Sequence, residues 1–380
     1  MTVNADRRPL AGVRVLDFST LLPGPMCSLL LAEAGAEVIK IERPGRGDEM
    51  RIYPTSFGSD SANFALLNRG KRSFVCDLKD LGERERVLDL VRDADVLIEQ
   101  FRAGVMARLG LDYASLSAIN PRLIYCSITG YGQSGPLADV AAHDLNYLAE
   151  TGMLGLGVDA TGAPPLPQAL IADLAGGAYP AMMNILLALR QRDASGQGCR
   201  LDVAMADNLF TLMYESLGEA WVRRAWPTPG SGLVTGGSAR YQVYRTADAR
   251  YLACAPLEDR FWSQFLQVIG APHLQDDSGD PAAIRDAIAA IIATQTQAHW
   301  LEKMQGLDVC VSPVRSLQDA LAHEHFVHRG IAGPAQSVRG HRLDDGGGQQ
   351  IPALPVPIDA QFRGEPMAKC APRLGEWDPK

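Results

Sequence analysis

Short apolar runs alternate with amphipathic stretches along the first two hundred residues. A β-branched run after Pro9 predicts a buried strand, an apolar stretch from Pro23 to Gly35 predicts a helix, and Glu37–Glu42 predicts a second strand. The order recurs, with predicted strands at 73–77, 96–99 and 123–128 and predicted helices at 82–93, 105–109 and 113–119. Strands alternating with helices indicate an α/β fold with a parallel, doubly wound sheet.

A change of pattern divides the chain into domains. Residues 173–190 are apolar and rich in small residues, which predicts a long buried helix, and the Gly- and Pro-rich stretch at 224–240 is the strongest linker signal. Predicted strands and helices between 241 and 293 then indicate a small α+β domain. The final residues lack a core of their own and are expected to rejoin the first domain or a partner chain. We therefore predict a large domain at 1–223, a small domain at 224–320 and a return to the large domain at 321–380.

Composition narrows the class of protein. The chain has 380 residues, 47% of them hydrophobic and 21% charged, which is ordinary for a folded enzyme. A net charge of -8 argues against a nucleic-acid surface. Seven scattered cysteines without a Cys-x-x-Cys pair predict free thiols in a reducing compartment. No signal-like apolar core follows the first residues and no long uninterrupted apolar run appears, so we expect a cytoplasmic protein that does not enter a membrane.

The first strand-to-helix turn bears on cofactor choice. It reads Pro23-Gly24-Pro25, where a dinucleotide-binding fold carries Gly-x-Gly-x-x-Gly. A nicotinamide or flavin cofactor therefore loses its main support, although the sheet could still bind nucleotide phosphates.

Two acid-base elements stand beside glycines or small residues, which would let a substrate approach closely. One is His143-Asp144 and the other is Asp173, thirty residues further on. Taken singly, His143 is typical of a hydrogen-bonded structural histidine and Asp173 of a helix cap. Taken together, they could supply a base and an acid to opposite faces of one carbon.

Several longer motifs carry a resemblance to a known family. They lie at 9–18, 35–48, 67–73 and 120–132, with Pro313-Val and Ala322-His-Glu-His further on. On these motifs the chain resembles the class III CoA-transferase (CaiB/BaiF) family, which contains formyl-CoA and carnitine CoA-transferases together with α-methylacyl-CoA racemases. The resemblance implies a Rossmann-like large domain built from both chain ends, a small domain between them, and a homodimer of interlocked rings.

The resemblance also implies an acyl-CoA ligand along the large domain and no cofactor beyond the CoA moiety of the substrate. The residues that match its CoA-binding segments are Arg43, Asn68, Lys71, Arg72 and Arg102. Guanidinium and ammonium groups suit phosphate oxygens, so a basic cluster in an acidic protein fits such a ligand. For Lys71 and Arg72, a solvated charge beside a strand is an equal alternative. Arg43 and Arg102 could be surface or sheet-edge charges, but the resemblance favours phosphate contact.

Two chemistries of the family compete for one pocket. In the transferases, an aspartate matched by Asp173 attacks the thioester and later carries CoA. The racemases use two proton-transfer groups, a histidine supported by an aspartate and an aspartate supported by a glutamate. In this chain, His143 with Asp144 and Asp173 with Glu258 match those groups. His143-Asp144 stands where formyl-CoA-type transferases have tyrosine and glutamate, Leu22 replaces their glutamine, and their four-glycine run is absent. These departures favour the racemase.

We therefore predict an acyl-CoA racemase or epimerase that inverts the α-carbon of a 2-methyl-branched or 2-aryl acyl-CoA. A histidine has an ordinary pKa of about 6.5 and can act as acid or base near neutrality. Glu258 is expected to raise the pKa of Asp173 by like-charge repulsion, and backbone N–H groups near Asp173 to stabilise the enolate oxygen. The alternatives are a CoA-transferase with an aspartyl-CoA intermediate at Asp173 and a catalytically silent acyl-CoA binder.

A cluster of three histidines near residue 325 is the one candidate for a metal site in the sequence pattern. His323, His325 and His328 could share a metal ion by their spacing, but no acidic or cysteine partner stands nearby in a convincing pattern. The resemblance implies a helix here, so no metal is predicted.

Overall fold

The computed structural model describes residues 8–159, 161–331, 342–364 and 368–379. These residues form two compact units. Unit 1 consists of the described parts of Met1–Thr151, Pro167–Leu212 and Glu324–Lys380, and unit 2 consists of those of Gly152–Leu166 and Met213–His323. The sequence pattern had placed 152–166 and 213–223 in the large domain and 321–323 in the return to it, whereas these ranges belong to unit 2. The chain enters unit 2 first at Gly152 and again at Met213, between two successive helices.

Unit 1 is built on a six-stranded sheet in which all neighbouring strands are parallel. Its strands are β1 Arg14–Asp17, β2 Glu37–Glu42, β3 Arg72–Val75, β4 Val96–Glu99, β5 Ile124–Thr129 and β6 Arg200–Ala204. They lie in the order β3-β2-β1-β4-β5-β6. This confirms the predicted mixed α/β class with a large parallel sheet. The order reverses between β1 and β4, which is the switch point where doubly wound sheets bind ligands.

The central strands are buried on both faces. Val15, Leu16, Ile39, Leu97 and Ile98 are at most 1% exposed, as expected for parallel strands covered by helices on both sides. The helices of unit 1 are α1 Pro23–Glu33, α2 Ala62–Asn68, α3 Leu81–Arg92, α4 Val105–Arg108, α5 Tyr113–Ile119, α6 Asp144–Glu150, α7 Tyr179–Ser195 and α8 Met205–Leu212. Short 3₁₀ helices at Glu49–Ile52 and Ala360–Phe362 and a hairpin of Ser56–Phe57 with Asp60–Ser61 complete this part.

The predicted buried helix at 173–190 differs from the structure in two respects. It begins as a π-helix, Ala172–Ala178, and continues as α7. One face of α7 is exposed, with Met183 at 57% and Leu187 at 62% of their full accessibility, so the expectation of a buried helix was wrong for this face. By length and composition the helix Ala172–Ser195 could cross a membrane, but core helices of soluble proteins meet the same criterion.

Unit 2 contains a three-stranded antiparallel sheet and its own core. The strands are β7 Gln242–Arg245, β8 Tyr251–Cys254 and β9 Val311–Pro313, with β8 in the centre. Trp262 and Phe265 pack with Leu252 and Ile288 in this core. The helices are α9 Tyr214–Arg223, α10 Asp259–Ile269, α11 Pro281–Ile292, α12 Gln297–Met304 and α13 Leu317–Leu321, with a π-helix at Leu233–Gly237 and 3₁₀ turns at Leu154–Leu156 and Pro272–Leu274.

The last part of the chain packs within unit 1. After α14 Glu324–His328, the strands β10 Arg342–Asp344, β11 Gln350–Pro352 and β12 Ala368–Lys369 form a small sheet with β10 in the centre. Leu343 is fully buried against Phe57 and Ala65, and the backbone N–H of Trp377 donates to the carbonyl oxygen of Ser73 at 3.1 Å. The C-terminal residues thereby cover the edge of the large sheet at β3.

Candidate active site

A cavity of about 340 Å³ lies at the carboxyl ends of β1, β4 and β5. We call it the switch-point cavity. Its polar lining comes from the loop after β4, from the start of α6 and from the π-helix, and includes Gln100, Arg102, His143, Asn146, Tyr147 and Asp173. The structure thus brings His143 and Asp173, which the sequence suggested as an acid-base pair, into one cavity.

The first helix offers this cavity no phosphate-binding terminus. Pro23 and Pro25 lack backbone N–H groups, and the single N–H between them, that of Gly24, donates to the Oε1 atom of Gln100 at 3.1 Å. A helix that binds pyrophosphate needs free N–H groups in its first turn. The Pro-Gly-Pro turn therefore lacks the feature on which dinucleotide binding at this position depends.

Asp173 lies in the first turn of the π-helix, which packs closely on α8. A Cβ atom on Gly176 would come within 2.4 Å of the Met205 carbonyl oxygen, so only glycine fits there. The side-chain amide of Asn208 donates to the carbonyl oxygen of Gly176 at 2.7 Å. Such π-helical turns occur often at functional sites. This close packing fixes the position of the helical turn from which Asp173 reaches the cavity.

Asp144 binds the helix that carries Asp173. The residue is 4% exposed, and its carboxylate accepts the backbone N–H of Asp173 at 2.9 Å. The backbone N–H groups of Ala172 and Ile171 also lower the pKa of this carboxylate. The prediction had paired Asp144 with His143, but no contact joins those two side chains among the described residues. It had also reserved the N–H groups near Asp173 for an enolate oxygen. The structure shows the N–H group of Asp173 itself bound to Asp144, as expected for a carboxylate at a helix N-terminus.

The pKa of Asp173 is raised from 3.8 to about 7, first by burial and then by the nearby charge of Asp144. Burial also raises the pKa of Asp144, against the lowering effect of its three N–H donors. The sequence had assigned this like-charge role to Glu258. In the structure Glu258 is an exposed residue of unit 2 that directly precedes α10, and the acidic partner that contributes to the shift is Asp144. A catalytic role of Glu258 stays a prediction.

His143 directly precedes α6 and is exposed. Its backbone N–H donates to the Oδ1 atom of Asn146 at 3.0 Å, which fixes the start of the helix. The hydroxyl group of Tyr147 donates to the carbonyl oxygen of Ala142 at 2.9 Å, and its ring packs edge-on against Tyr131 at 5.2 Å. These contacts hold the backbone on both sides of His143, so that the imidazole projects from an ordered turn.

A second cavity, of about 590 Å³, lies beside the first. We call it the cationic cavity after three cations in its lining, Arg43, Lys79 and Arg108. Four acidic residues, Glu42, Asp48, Glu49 and Asp77, line it as well, and Arg43 forms an ion pair with Glu49 at 2.7 Å. Phe101 lines both cavities. The sequence analysis had named Arg43 but missed Lys79 and Arg108. Both follow the carboxyl end of a parallel strand, β3 or β4, which is the signal that could have found them.

The other cations predicted to bind CoA occupy different surroundings. Arg102 lines the switch-point cavity, and its guanidinium has no hydrogen-bonding partner among the described residues. Lys71 is buried, and its Nζ atom donates to Asn68 Oδ1 at 2.8 Å, the Pro25 carbonyl at 2.9 Å and Asp17 at 3.3 Å. Exposed Arg72 pairs with Glu37 and lies over the Trp377 ring. Asn68, Lys71 and Arg72 thus line neither cavity, and phosphate contacts by them stay predictions without structural support.

The described residues give little support for metal or thiol chemistry. No three His, Cys, Asp or Glu side chains within them converge in a way that could hold a metal ion. All seven cysteines are free, and burial raises the pKa of Cys76, which lines the cationic cavity, to about 11. A thiol with such a pKa is protonated near neutrality and is a poor nucleophile.

Unit 1 is a doubly wound α/β fold with a carboxyl group and an imidazole at its switch point. Such side chains can take part in proton transfer or in acyl transfer. The chain belongs to CoA-transferase family III, whose sequence profile matches residues 10–377. This confirms the resemblance seen in the motifs and indicates an enzyme.

The relatives of the chain include two activities. It is 34% identical to the mouse α-methylacyl-CoA racemase over 97% of this chain and 91% of that protein. It is 35% identical to the acetyl-CoA:oxalate CoA-transferase of Acetobacter aceti over 97% of this chain and 93% of that protein. A crystal structure of a CaiB/BaiF family protein from Brucella suis matches with a TM-score of 0.80 at 29% identity, covering 97% of both chains. Identity alone therefore leaves the reaction open.

Proposed function

We propose that this protein is an acyl-CoA racemase or epimerase that inverts the α-carbon of a 2-methyl-branched or 2-aryl acyl-CoA through an enolate. The observation that carries the proposal is that His143 and Asp173 line one cavity of about 340 Å³. An inversion by proton transfer needs a base on one face of the carbon and an acid on the other. The cavity supplies one candidate for each role, on two different structural elements.

The raised pKa of Asp173 supports this chemistry. With a pKa of about 7, its carboxyl and carboxylate forms are both populated near neutrality, so the group can accept or release a proton as the reaction direction requires. The thioester acidifies the α-hydrogen. In one direction the Asp173 carboxylate takes that proton and the His143 imidazolium returns one to the opposite face. In the other direction the neutral imidazole takes the proton and the Asp173 carboxyl group donates.

The arrangement of the two cavities supports acyl-CoA as the substrate class. Lys79 and Arg108 could bind the phosphates of the CoA moiety in the cationic cavity. Arg43 could join them only by leaving Glu49, its ion-pair partner at 2.7 Å. Phe101 lines both cavities, so the thioester end of the same molecule could pass it and reach the acid-base pair. Arg102 adds a further unpaired cation in the switch-point cavity. We also expect a cytoplasmic homodimer with interlocked subunits and no additional cofactor.

The second candidate is a CoA-transferase with an aspartyl-CoA intermediate at Asp173. It is favoured by the 35% identity to the Acetobacter aceti transferase. The mechanism needs the ionised carboxylate as nucleophile, whereas a pKa of about 7 leaves much of Asp173 protonated near neutrality. It also gives His143 no evident task. Both points make transfer the second choice.

One measurement separates the two reactions. The protein is incubated in heavy water with a set of branched acyl-CoAs, with and without oxalate or succinate as acceptor. The proposal expects deuterium to enter the α-position without any acceptor and expects the enantiomers to equilibrate. CoA movement that occurs only with an acceptor, together with an absence of α-exchange, would assign the protein to the transferases. Neither reaction on any substrate would favour a silent acyl-CoA binder.

A further inference from the structure

The enolate oxygen in the proposed reaction lacks the donors that the sequence suggested for it. The N–H group of Asp173 is bound to Asp144 at 2.9 Å, and those of Ala172 and Ile171 interact with the same carboxylate. The N–H group of Gly24 is bound to Gln100. A thioester enolate formed in the switch-point cavity nevertheless needs hydrogen-bond donors, because an oxyanion in a partly buried site is costly without them. The donors must come from other groups that line the cavity.

Two carboxamides in the lining share one feature. The Oε1 atom of Gln100 accepts the N–H of Gly24 at 3.1 Å, and the Oδ1 atom of Asn146 accepts the N–H of His143 at 3.0 Å. A backbone N–H can donate only to the oxygen end of an amide, so these contacts determine which end is the NH₂ group. Neither NH₂ group has an acceptor among the described residues, so both remain able to donate to a ligand in the cavity.

The backbone around Gln100 is arranged to allow this contact. A Cβ atom on Gly24 would lie 2.9 Å from Gln100 Oε1 and 2.1 Å from the Ser19 Cβ atom, so glycine is required there. On the other side of the cavity, Asn146 is three residues beyond His143 on the first turn of α6. The two amides therefore approach the cavity from the loop after β4 and from the helix that begins beside His143.

We propose that the NH₂ groups of Gln100 and Asn146 bind the thioester oxygen and stabilise it as it gains charge. The inference rests on the proposed function, since it requires that a thioester react in this cavity. Two neutral donors suit the task because they carry no proton that could titrate near neutrality. They also leave His143 and Asp173 free to exchange protons with carbon.

The test uses variants that separate donation from support of the backbone. Gln100→Glu keeps an oxygen for the Gly24 N–H but removes the NH₂ donor and adds a negative charge. Gln100→Met removes both functions. If Gln100 only supports Gly24, the Glu variant should be less impaired than the Met variant, because it keeps the acceptor. If Gln100 donates to the oxyanion, both should lose about 10²–10³-fold in kcat for α-exchange, with the Glu variant the worse, and KM should change little.

Asn146→Asp gives the same comparison on the other side, because it keeps an acceptor for the His143 N–H. A matched control is Gln191→Glu, which makes the same chemical change at an exposed position of α7 that does not line the cavity. The control should retain wild-type kcat.

A binding measurement provides a second readout. A CoA analogue that ends in a nitronate mimics the enolate, and its affinity is compared with that of the corresponding non-ionised thioether by calorimetry. The wild type should prefer the nitronate, and Gln100→Glu should lose most of that preference. An active wild type whose Gln100→Glu and Asn146→Asp variants keep both kcat and the nitronate preference would overturn this inference alone. A wild type without α-exchange would overturn the proposed function, and this inference with it.

Discussion

The carboxylate of Asp144 accepts the backbone N–H of Asp173 at 2.9 Å, across 29 positions of sequence. Asp144 thus caps the helix that carries Asp173. The same contact places a negative charge near the Asp173 carboxyl group and contributes to its raised pKa. Asp144 therefore tunes Asp173 and orders its helix, while His143, its neighbour in sequence, faces the cavity.

Replacing Asp144 with asparagine should lower the pKa of Asp173 from about 7, because the like charge is lost while burial remains. The limb of the pH–rate profile for α-exchange that reports Asp173 should move to lower pH. We expect kcat to fall about tenfold near neutrality, since the carboxyl form that donates the proton becomes scarce. The control is Asp89→Asn, an exposed carboxylate on α3. An unmoved limb in Asp144→Asn would show that burial alone sets the pKa.

Asp173 should make the protein less stable at alkaline pH. Its pKa is raised in the folded protein, from 3.8 to about 7, so the folded state binds this proton more tightly than the unfolded chain does. The resulting stabilisation is fully present below about pH 4 and is lost as the pH rises through 7. Asp173→Asn removes this dependence and should be more stable than the wild type at pH 8.5, by up to ~4 kcal/mol at about 1.4 kcal/mol per pKa unit.

Urea unfolding at pH 5 and at pH 8.5 measures the effect, and Asp173→Asn should also abolish α-exchange. A difference in unfolding free energy between variant and wild type that is the same at both pH values would contradict the raised pKa. Loss of exchange together with a gain in stability at high pH is typical of a functional group held in an unfavourable environment.

The cationic cavity predicts which cations bind CoA. Lys79→Ala and Arg108→Ala should each weaken the binding of CoA by about tenfold, roughly 1.4 kcal/mol, with a dependence on salt concentration. Arg92→Ala is the matched control, because Arg92 is an exposed cation of α3 that lines neither cavity. Fluorescence or calorimetric titration with CoA at two salt concentrations measures this. Equal effects in all three variants would indicate nonspecific attraction only.

Much of unit 1 follows from local patterns. The strand Glu37–Glu42 and the helix Tyr113–Ile119 have the bounds that the sequence predicted. A β-branched run favours a strand, and an amphipathic stretch that follows an Asp cap favours a helix. The burial of the apolar helix α7 was predicted wrongly. Apolar composition shows that a face can pack, but it does not show whether the same chain supplies the surface that covers it.

The site was harder to predict than the fold. The motifs named His143, Asp144 and Asp173, but the partner of Asp144 is a backbone N–H and carries no sequence signal of its own. Lys71 shows the same difficulty. A lysine beside Arg72 in a polar loop has the sequence pattern of solvated charge, and only the packing of Asp17 and Asn68 around it shows that it is buried.

Lys71 provides a test of that internal network. Its side chain is fully buried against Asp17, and the two charges form an ion pair at 3.3 Å. Asp17 also accepts the hydroxyl groups of Ser19 and Ser28, and its pKa is lowered to about 2 because the charges of Lys40 and Lys71, with these hydroxyl groups, outweigh its burial. Lys71→Met removes one cation and leaves the carboxylate with fewer partners, which should cost about 3 kcal/mol or more in unfolding free energy.

The matched control is Arg72→Met, which removes a neighbouring cation whose ion pair with Glu37 is exposed, and this should cost less than about 1 kcal/mol. Urea unfolding gives both values, and CoA titration of the folded variants gives the ligand's share. If Lys71 serves the interior, Lys71→Met should lose stability but keep CoA affinity once it is folded. If Lys71 binds a phosphate group instead, Lys71→Met should weaken CoA binding about tenfold and lose little stability. In that case the ammonium group serves the ligand and is not needed by Asp17.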